Sequence, residues 1–291
     1  MRKIIASILF LGICTGVFAQ AVPFLNIPSD ARTAAMGGTG IALEKGAFTL
    51  DDNMATSAMT HRTAAFGANF WSWAPSTSAL KLINASGYYR FGKFAVALGG
   101  KYCMEKPFDV VSAVGKPLGT YTPSSFTLGA GFAYRIIDPL ALGVTLRYVS
   151  ANYYENIKEG TVAADINATF SKGGLRAAVG VANLGGKIKG SPLPAMAKVG
   201  AAYHIGGFQA SAEVDYLFAG AIMAGIGAEY GFKDIAFIRA GFHYGDAQKA
   251  IPTYASVGLG VQYWGVRLDA TWITASSVLG NSLGFSLSYS F

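Results

Sequence analysis

From residue 64 to its end, the chain alternates large apolar residues with small or polar ones at a period of two. The last segment shows this most clearly, because Leu283, Phe285, Leu287, Tyr289 and Phe291 take every second position and serine or glycine fills the gaps. A period of two predicts a β-strand with one apolar and one small polar face. A soluble sandwich could use one such strand, so the rest of the chain decides the fold class.

Fourteen segments carry this alternation, and every second connection between them is very short. The intervening connections are longer, notably 104–123, 185–194 and 246–252. An even number of strands with this asymmetry is typical of single-chain outer-membrane barrels, in which short turns face the periplasm. The predicted strands are 64–74, 81–91, 93–103, 124–136, 140–153, 161–171, 174–184, 195–205, 208–218, 221–232, 235–245, 253–264, 266–275 and 282–291.

The composition separates this barrel from a soluble all-β protein. Hydrophobic residues make up 52% of the chain and charged residues only 13%, against roughly 25% charged in soluble domains. After the first 19 residues no run of about 18 apolar residues occurs, so no membrane-spanning helix is predicted. Apolar residues dispersed by alternation over many strands therefore predict an all-β, 14-stranded antiparallel transmembrane β-barrel.

Residues 1–19 have the pattern of a secretory signal peptide, with Arg2 and Lys3 before an apolar run and a cut after Ala19. A retained anchor helix is the alternative interpretation. The formal net charge of +7 falls to +5 when Arg2 and Lys3 are removed, which suits contact with anionic outer-membrane lipid. The basic residues form no run that would indicate nucleic acid binding.

The two strand faces differ in chemistry. Aromatic residues near the strand ends predict interfacial girdles, and Tyr289 and Phe291 are further predicted to form a C-terminal assembly signal. The opposite face carries charges, which are costly toward lipid but acceptable where they pair inside a lumen. The predicted lumen network comprises Arg147, Asp165, Arg176, Glu213, Asp215, Glu229, Arg239, Arg267 and Asp269.

Residues 20–63 lack the alternation and are predicted to form a plug inside the barrel formed by 64–291. A mobile periplasmic tail is the alternative. Asp30 is predicted to cap a short turn through Met36, ended by Gly37 and Gly38, and Asp51 or Asp52 a second through Met59. The candidate plug residues are Phe24, Leu25, Asp30, Arg32, Met36 and Asn53.

No pattern of catalysis, metal binding or cofactor binding is present in the sequence. His61, His204 and His243 lie in different segments without ligand spacing, and no GxSxG elbow or phosphate loop occurs. Glu213 and Asp215 fit a lumen ion-pair network better than acid–base catalysis. A non-enzymatic protein without a cofactor is therefore expected.

Three ordered blocks resemble one family. FLNIPSDARTAAMGG (24–38), GTYTPSSFTLGAGFAYRIIDPLALGVTLRYVSANY (119–153) and VANLGGKIKGSPLPAMAKVGAAY (181–203) are similar to the opening, middle and Asn-Leu-Gly regions of the PorV/PorQ family. These are FadL-like outer-membrane barrels of the type IX secretion system. One departure is that Asn53-Met54-Ala55 stands where such plugs commonly have Asn-Pro-Ala.

The resemblance implies an accessory outer-membrane protein that binds secreted cargo, the translocon or the attachment machinery, after insertion by the barrel-assembly machinery. The alternatives are an uptake channel for a small hydrophobic molecule and a structural subunit of another outer-membrane complex. The 104–123 and 185–194 loops are the expected contact elements, although the first could instead fold over the barrel mouth. The candidate contact residues are Phe108, Val110, Val111, Val114, Leu118, Tyr121, Lys187, Ile188 and Lys189.

Overall fold

Fourteen antiparallel strands close into a barrel in the computed structural model of the chain, which describes residues 20–44, 46–112, 116–154 and 157–291. Each barrel strand pairs with its neighbours in the chain, and the first pairs with the last to close the wall. The barrel strands are β1 (Ala64–Trp73), β2 (Leu80–Phe91), β3 (Phe94–Met104), β6 (Ser124–Ile137), β7 (Leu140–Tyr154), β8 (Ile157–Lys172), β9 (Leu175–Gly185), β12 (Met196–Ile205), β13 (Phe208–Leu217), β14 (Ala221–Phe232), β15 (Ala236–Gly245), β16 (Tyr254–Tyr263), β17 (Val266–Thr274) and β18 (Ser282–Ser290).

The predicted fold class is confirmed, and each predicted strand corresponds to one barrel strand. The largest difference is at β8, which begins at Ile157 instead of 161. There β7 and β8 continue as a hairpin beyond Ala163, the last residue of β8 that pairs with β9.

Two small hairpins lie in segments that were predicted only as loops. β4 (Phe108–Val111) pairs with β5 (Pro117–Tyr121) in the 104–123 loop, and β10 (Lys187–Ile188) pairs with β11 (Ser191–Pro192) in the 185–194 loop. Neither hairpin is part of the barrel sheet.

The wall has an apolar outer face and a small, polar inner face. Leu98, Leu128 and Leu259 are 69%, 65% and 64% exposed on the outside, which suits a surface that hydrocarbon covers. Inside, alanine, serine, glycine and the charged residues are buried against the N-terminal segment. No helix in the described ranges is long and apolar enough to cross a membrane.

The C-terminal strand completes the cylinder. β18 pairs with β1 from Ala65↔Ser290 to Ser72↔Leu283. The carbonyl of Phe291 accepts hydrogen bonds from the amides of Thr63 (2.7 Å) and Ala64 (3.1 Å). The alternating segment at the end of the chain therefore forms the wall strand that closes the barrel by pairing with the first strand.

The described N-terminal segment from Gln20 to Thr63 lies inside the barrel. It contains α1 (Ala31–Ala35), α2 (Thr49–Asp52) and 3-10 turns at Pro23–Asn26, Gly46–Phe48 and Met54–Ala58. As predicted, the Asp30 side chain caps α1, accepting a hydrogen bond from the Thr33 amide at 2.9 Å. The second cap was predicted wrongly: Asn53, not Asp51 or Asp52, caps the turn at Met54–Ala58, because its side-chain oxygen reaches the Ala55 amide at 3.0 Å.

Glycines on the inner wall let the plug backbone approach closely. A Cβ atom on Gly241 would lie 2.1 Å from the Gly37 nitrogen, and one on Gly143 would lie 2.3 Å from the Ala55 nitrogen. Real Cβ atoms do not approach other heavy atoms so closely, so any larger residue must displace the plug. The inner wall and the plug are thus shaped to each other.

Candidate functional site

The interface between the plug and the barrel wall is built from buried ion pairs. In the Glu229 cluster (Arg32, Glu229, Arg239, Arg267, Asp269), the plug residue Arg32 binds Glu229 through Nε at 2.8 Å and Nη2 at 2.7 Å. Arg239 Nε lies 2.5 Å from Glu229, and its Nη2 lies 2.9 Å from Asp269. Arg267 also reaches Asp269 at 3.0 Å. The cluster therefore ties α1 to three wall strands, β14, β15 and β17.

A second cluster lies around Lys198 on β12. Its Nζ is 2.9 Å from Glu213, and 3.9 and 4.0 Å from Asp52 and Asp215. Glu213 also accepts hydrogen bonds from the plug amides of Gly40 (2.6 Å) and Ile41 (2.7 Å). The Glu213 carboxylate therefore anchors the plug backbone. It accepts the hydrogen bonds of two buried N–H groups that would otherwise have no partner.

The third cluster centres on Arg147 of β7 and is called the Arg147 cluster (Arg147, Asp165, Asn183). Arg147 pairs with Asp165 and donates to the plug carbonyl of Leu50 at 3.2 Å and to Asn183 Oδ1 at 3.4 Å. The Asn183 amide donates to Asp165 at 2.7 Å, and its side chain donates to Pro194 O at 3.2 Å. Plug, wall and the 185–194 loop meet at this cluster.

Two plug groups have shifted pKa values. Burial alone would raise the pKa of Glu44, but Arg176, whose Nη2 is 3.3 Å away, and the Thr60 hydroxyl hold it below its usual value. Burial alone would lower the pKa of Arg32, but the charge and hydrogen bonds of Glu229 hold it above its usual value. Both groups are therefore stabilised in their charged forms.

All nine residues of the predicted lumen network face the inside and have an ion-pair partner; Asp215 has the longest of these contacts. Sequence reasoning missed Lys101 and Lys198, which pair with plug carboxylates: Lys101 lies 3.5 Å from Asp51. Their positions could have identified them, because both lysines stand on the small-residue face of their strands, which faces the lumen. The plug partner Glu44 carried no pattern that marked it, and Asp51 was considered only as a helix cap.

The predicted plug residues occupy the lumen. Phe24 and Leu25 lie in one apolar cluster with wall and loop residues, and Met36 lies in another. Asn53 is fully buried and donates to Ile41 O at 2.6 Å and to Thr169 Oγ1 at 2.7 Å. Asn53 thus links two turns of the plug to the wall without a following proline.

Cavities flank the plug inside the barrel. A cavity of about 720 Å³ at the long-loop end is lined by Phe24, Trp73 and Leu279 among others. A cavity of about 520 Å³ at the short-turn end is lined by Arg32, Arg176 and further polar residues. The cavity between them has only about 50 Å³, room for a few waters.

The β4–β5 hairpin stands at the long-loop end. Its Phe108, Val111 and Leu118 side chains are 44%, 58% and 63% exposed. The Tyr121 ring lies 5.9 Å from that of Phe108 and 5.1 Å from that of Tyr154, so the hairpin rests against the end of β7. Val110 is half-buried, and the predicted contact residue Val114 lies outside the described residues.

The 185–194 loop differs from its expected form at one residue. Lys187 and Lys189 are exposed, but Ile188 is fully buried. Ile188 and Leu193 belong to the same apolar cluster as the plug residues Val22 and Leu25. The prediction that Ile188 contacts a partner is therefore wrong. The loop folds inward over the plug and leaves its two lysines exposed.

His243 takes a structural position inside the barrel. His243 is buried, stacks on Tyr254 with ring centres 4.8 Å apart, and its Nδ1 lies 3.2 Å from Gly37 O. Within the described ranges no group of three or more His, Cys, Asp or Glu side chains could hold a metal ion. The arrangement can therefore anchor a plug and present loops.

Comparison with known proteins identifies the family. The profile described as type IX secretion system protein PorV matches residues 15–206. The chain belongs to this family. The resemblance of the three sequence blocks is thereby confirmed, and the chain has a place in type IX secretion. No curated protein matches the chain.

Solved structures with this fold are FadL-like barrels. The toluene transporter TbuX of Ralstonia pickettii has a TM-score of 0.66 at 15% identity, covering 92% of this chain and 99% of TbuX. The Pseudomonas putida toluene transporter TodX has a TM-score of 0.67 at 13% identity, covering 90% of this chain and 97% of TodX. A Pseudomonas aeruginosa FadL homologue has a TM-score of 0.60 at 11% identity, covering 90% of this chain and 98% of the homologue. At these identities the similarity shows the fold, which is of the outer-membrane type.

Proposed function

We propose that this chain is a non-enzymatic accessory component of type IX protein secretion that binds secreted cargo, the translocon or attachment components through its long-loop end. Family membership supports the pathway. Because short turns of such barrels face the periplasm, the long-loop end faces the cell exterior. That is the side on which an exported protein emerges.

The observation that carries the proposal is the exposed apolar surface of the β4–β5 hairpin. Val111 and Leu118 are more than half exposed and lie outside the barrel sheet. Exposed apolar patches outside a membrane mark protein contacts. Phe108 and Tyr121 add aromatic side chains, which are enriched in such interfaces.

The filled lumen supports a binding function over passage through the barrel. Three buried ion clusters fix the plug, and the middle cavity measures only about 50 Å³. A folded or extended polypeptide needs a far wider path. Cargo is therefore expected to meet the outside of the barrel mouth and not its interior.

Replacing 108–119 with a short Gly-Ser linker should abolish co-purification of the partners and leave the barrel folded. The hairpin lies outside the barrel sheet, and the hydrogen bond from Glu105 N to Pro123 O (3.0 Å) would still close its base. The measurement is mass spectrometry of the proteins that accompany each variant after gentle extraction from native outer membrane. The matched control replaces the exposed residues 75–78 of another long loop in the same way.

Partners that stay with the hairpin-free barrel would rule out the hairpin as the contact, and so would partners that are lost equally from the hairpin variant and the control. A barrel extracted alone, in wild type and both variants, would contradict the proposed function. Heat-modifiable migration on a gel establishes for each variant that the barrel has folded.

Binding of a small hydrophobic molecule is the second candidate function. The 720 Å³ cavity at the long-loop end supports it, because Phe24, Trp73 and Leu279 give that cavity apolar walls. The same extraction distinguishes the two functions, since a hydrophobic ligand would be found in the lipid and small-molecule fraction of a barrel purified without protein partners.

A further inference from the structure

The 185–194 loop is attached to the plug by two hydrogen-bonded routes, both near its C-terminal end. The first is direct: the plug amide of Ala21 donates to Pro192 O at 2.9 Å. The second runs through side chains: Pro194 O accepts from the Asn183 side chain, which accepts from Arg147, and Arg147 donates to the plug carbonyl of Leu50. The two routes meet different parts of the plug, its first described residues and α2.

Apolar packing joins the same two elements. Ile188 and Leu193 of the loop are 0% and 3% exposed, and they pack in one cluster with Val22, Phe24 and Leu25 of the plug. Lifting the loop would expose both faces of this contact to water. Its burial favours the state in which loop and plug lie together.

The wall is locally reshaped to make the connection. Between Ala164 and Ile166 the β8–β9 register shifts, so two residues of β9, Ala182 and Asn183, stand opposite Asp165. Asn183 has a φ of 57°, a left-handed conformation that asparagine tolerates better than most residues. Such a bulge turns a side chain out of the regular alternation, and here the Asn183 side chain is brought to Pro194 and Arg147.

We propose that the 185–194 loop is a lid that moves together with the plug, coupled to it through Arg147 and Asn183. A change that lifts the lid loosens the plug, and a change that loosens the plug at Arg147 frees the lid. Such coupling is reciprocal by thermodynamic necessity. It is a property of the barrel alone and does not depend on which partner the long-loop end binds.

The test perturbs the connection from each side and follows amide hydrogen exchange in lipid nanodiscs. Arg147→Lys keeps a positive charge beside Asp165 but lacks the fork that reaches both Leu50 and Asn183. Asn183→Gly keeps the backbone conformation and the amide bond to Asp165 and removes only the side-chain link to Pro194 and Arg147. Both variants should raise exchange in 186–195 and in 21–27 by about tenfold, the effect of losing a hydrogen bond to a charged group.

The matched control is Arg176→Lys. Arg176 also holds the plug, through Glu44 at 3.3 Å, but among the described residues no hydrogen bond leads from Arg176 or Glu44 to the lid. Exchange should rise around 44–48 and stay unchanged in 186–195. Wild-type exchange of 21–27 in Asn183→Gly, or of 186–195 in Arg147→Lys, would overturn the proposal. An equal rise of amide exchange in β13 would overturn it too. The contacts would then stabilise the barrel wall as a whole instead of coupling the lid to the plug.

Discussion

Glu229→Gln should destabilise the barrel by about 3–5 kcal/mol, the cost of removing one member of a buried ion network. The Glu229 side chain is 6% exposed and is the shared partner of Arg32, Arg239 and Arg267. The substitution keeps the shape and leaves the buried guanidinium of Arg239 and the partly buried ones of Arg32 and Arg267 with Asp269 as the remaining carboxylate of the cluster. Urea unfolding of the protein in lipid vesicles, followed by tryptophan fluorescence, measures the change.

The control for this prediction is Glu159→Gln. Glu159 pairs with Lys189 at 3.3 Å, but the two side chains are 40% and 48% exposed, so the substitution should leave the free energy of unfolding nearly unchanged. Equal effects of the two substitutions would show that the Glu229 cluster does not hold plug and wall together.

Gly241→Val should displace the plug from the wall. Its Cβ would stand 2.1 Å from Gly37 N and 2.7 Å from Ala35 O, both backbone atoms that cannot rotate away. We expect the overpacking to destabilise the fold by about 1–3 kcal/mol. We also expect a leak through the barrel, because the end of α1 must move away from the wall. Ion conductance across a planar bilayer measures the leak, and the wild-type barrel should conduct little through its 50 Å³ middle cavity.

Ala240→Val provides the matched control for the leak. Ala240 is the neighbouring residue of the same strand and is exposed on the lipid face. The added methyl groups there meet lipid, so conductance should equal that of wild type. A Gly241→Val barrel as closed as the control would mean that the plug is seated more loosely than its contacts indicate.

The alternation predicts the wall well because strand faces depend on local sequence. Arg147 and Asp165 could be placed in one lumen because they stand on the inner faces of consecutive strands. The prediction failed at Ile188, whose burial depends on plug residues more than 150 positions away in sequence, a contact that no local period encodes. The β4–β5 hairpin was missed because Pro107, Pro117 and Gly119 interrupt the alternation that identified the longer strands.

The path of the plug was the least predictable part. Asp30 could be recognised as a cap because the cap and its helix are adjacent, but the partner of Arg32 lies 197 residues away on β14. Lys198 was overlooked because a lone lysine among small residues does not reveal that plug carboxylates approach it. Ion pairs between a plug and a wall are set by the three-dimensional path of the plug.

Protein secretion by cells that lack this chain tests the central claim most directly. In the source organism, deletion of the gene should remove type IX cargo proteins from the culture medium and cell surface, measured by quantitative proteomics. Wild-type protein should restore them, and the variant without 108–119 should not, although it folds and reaches the outer membrane. An unchanged set of secreted proteins, together with reduced uptake of a hydrophobic compound, would contradict the account and favour the channel.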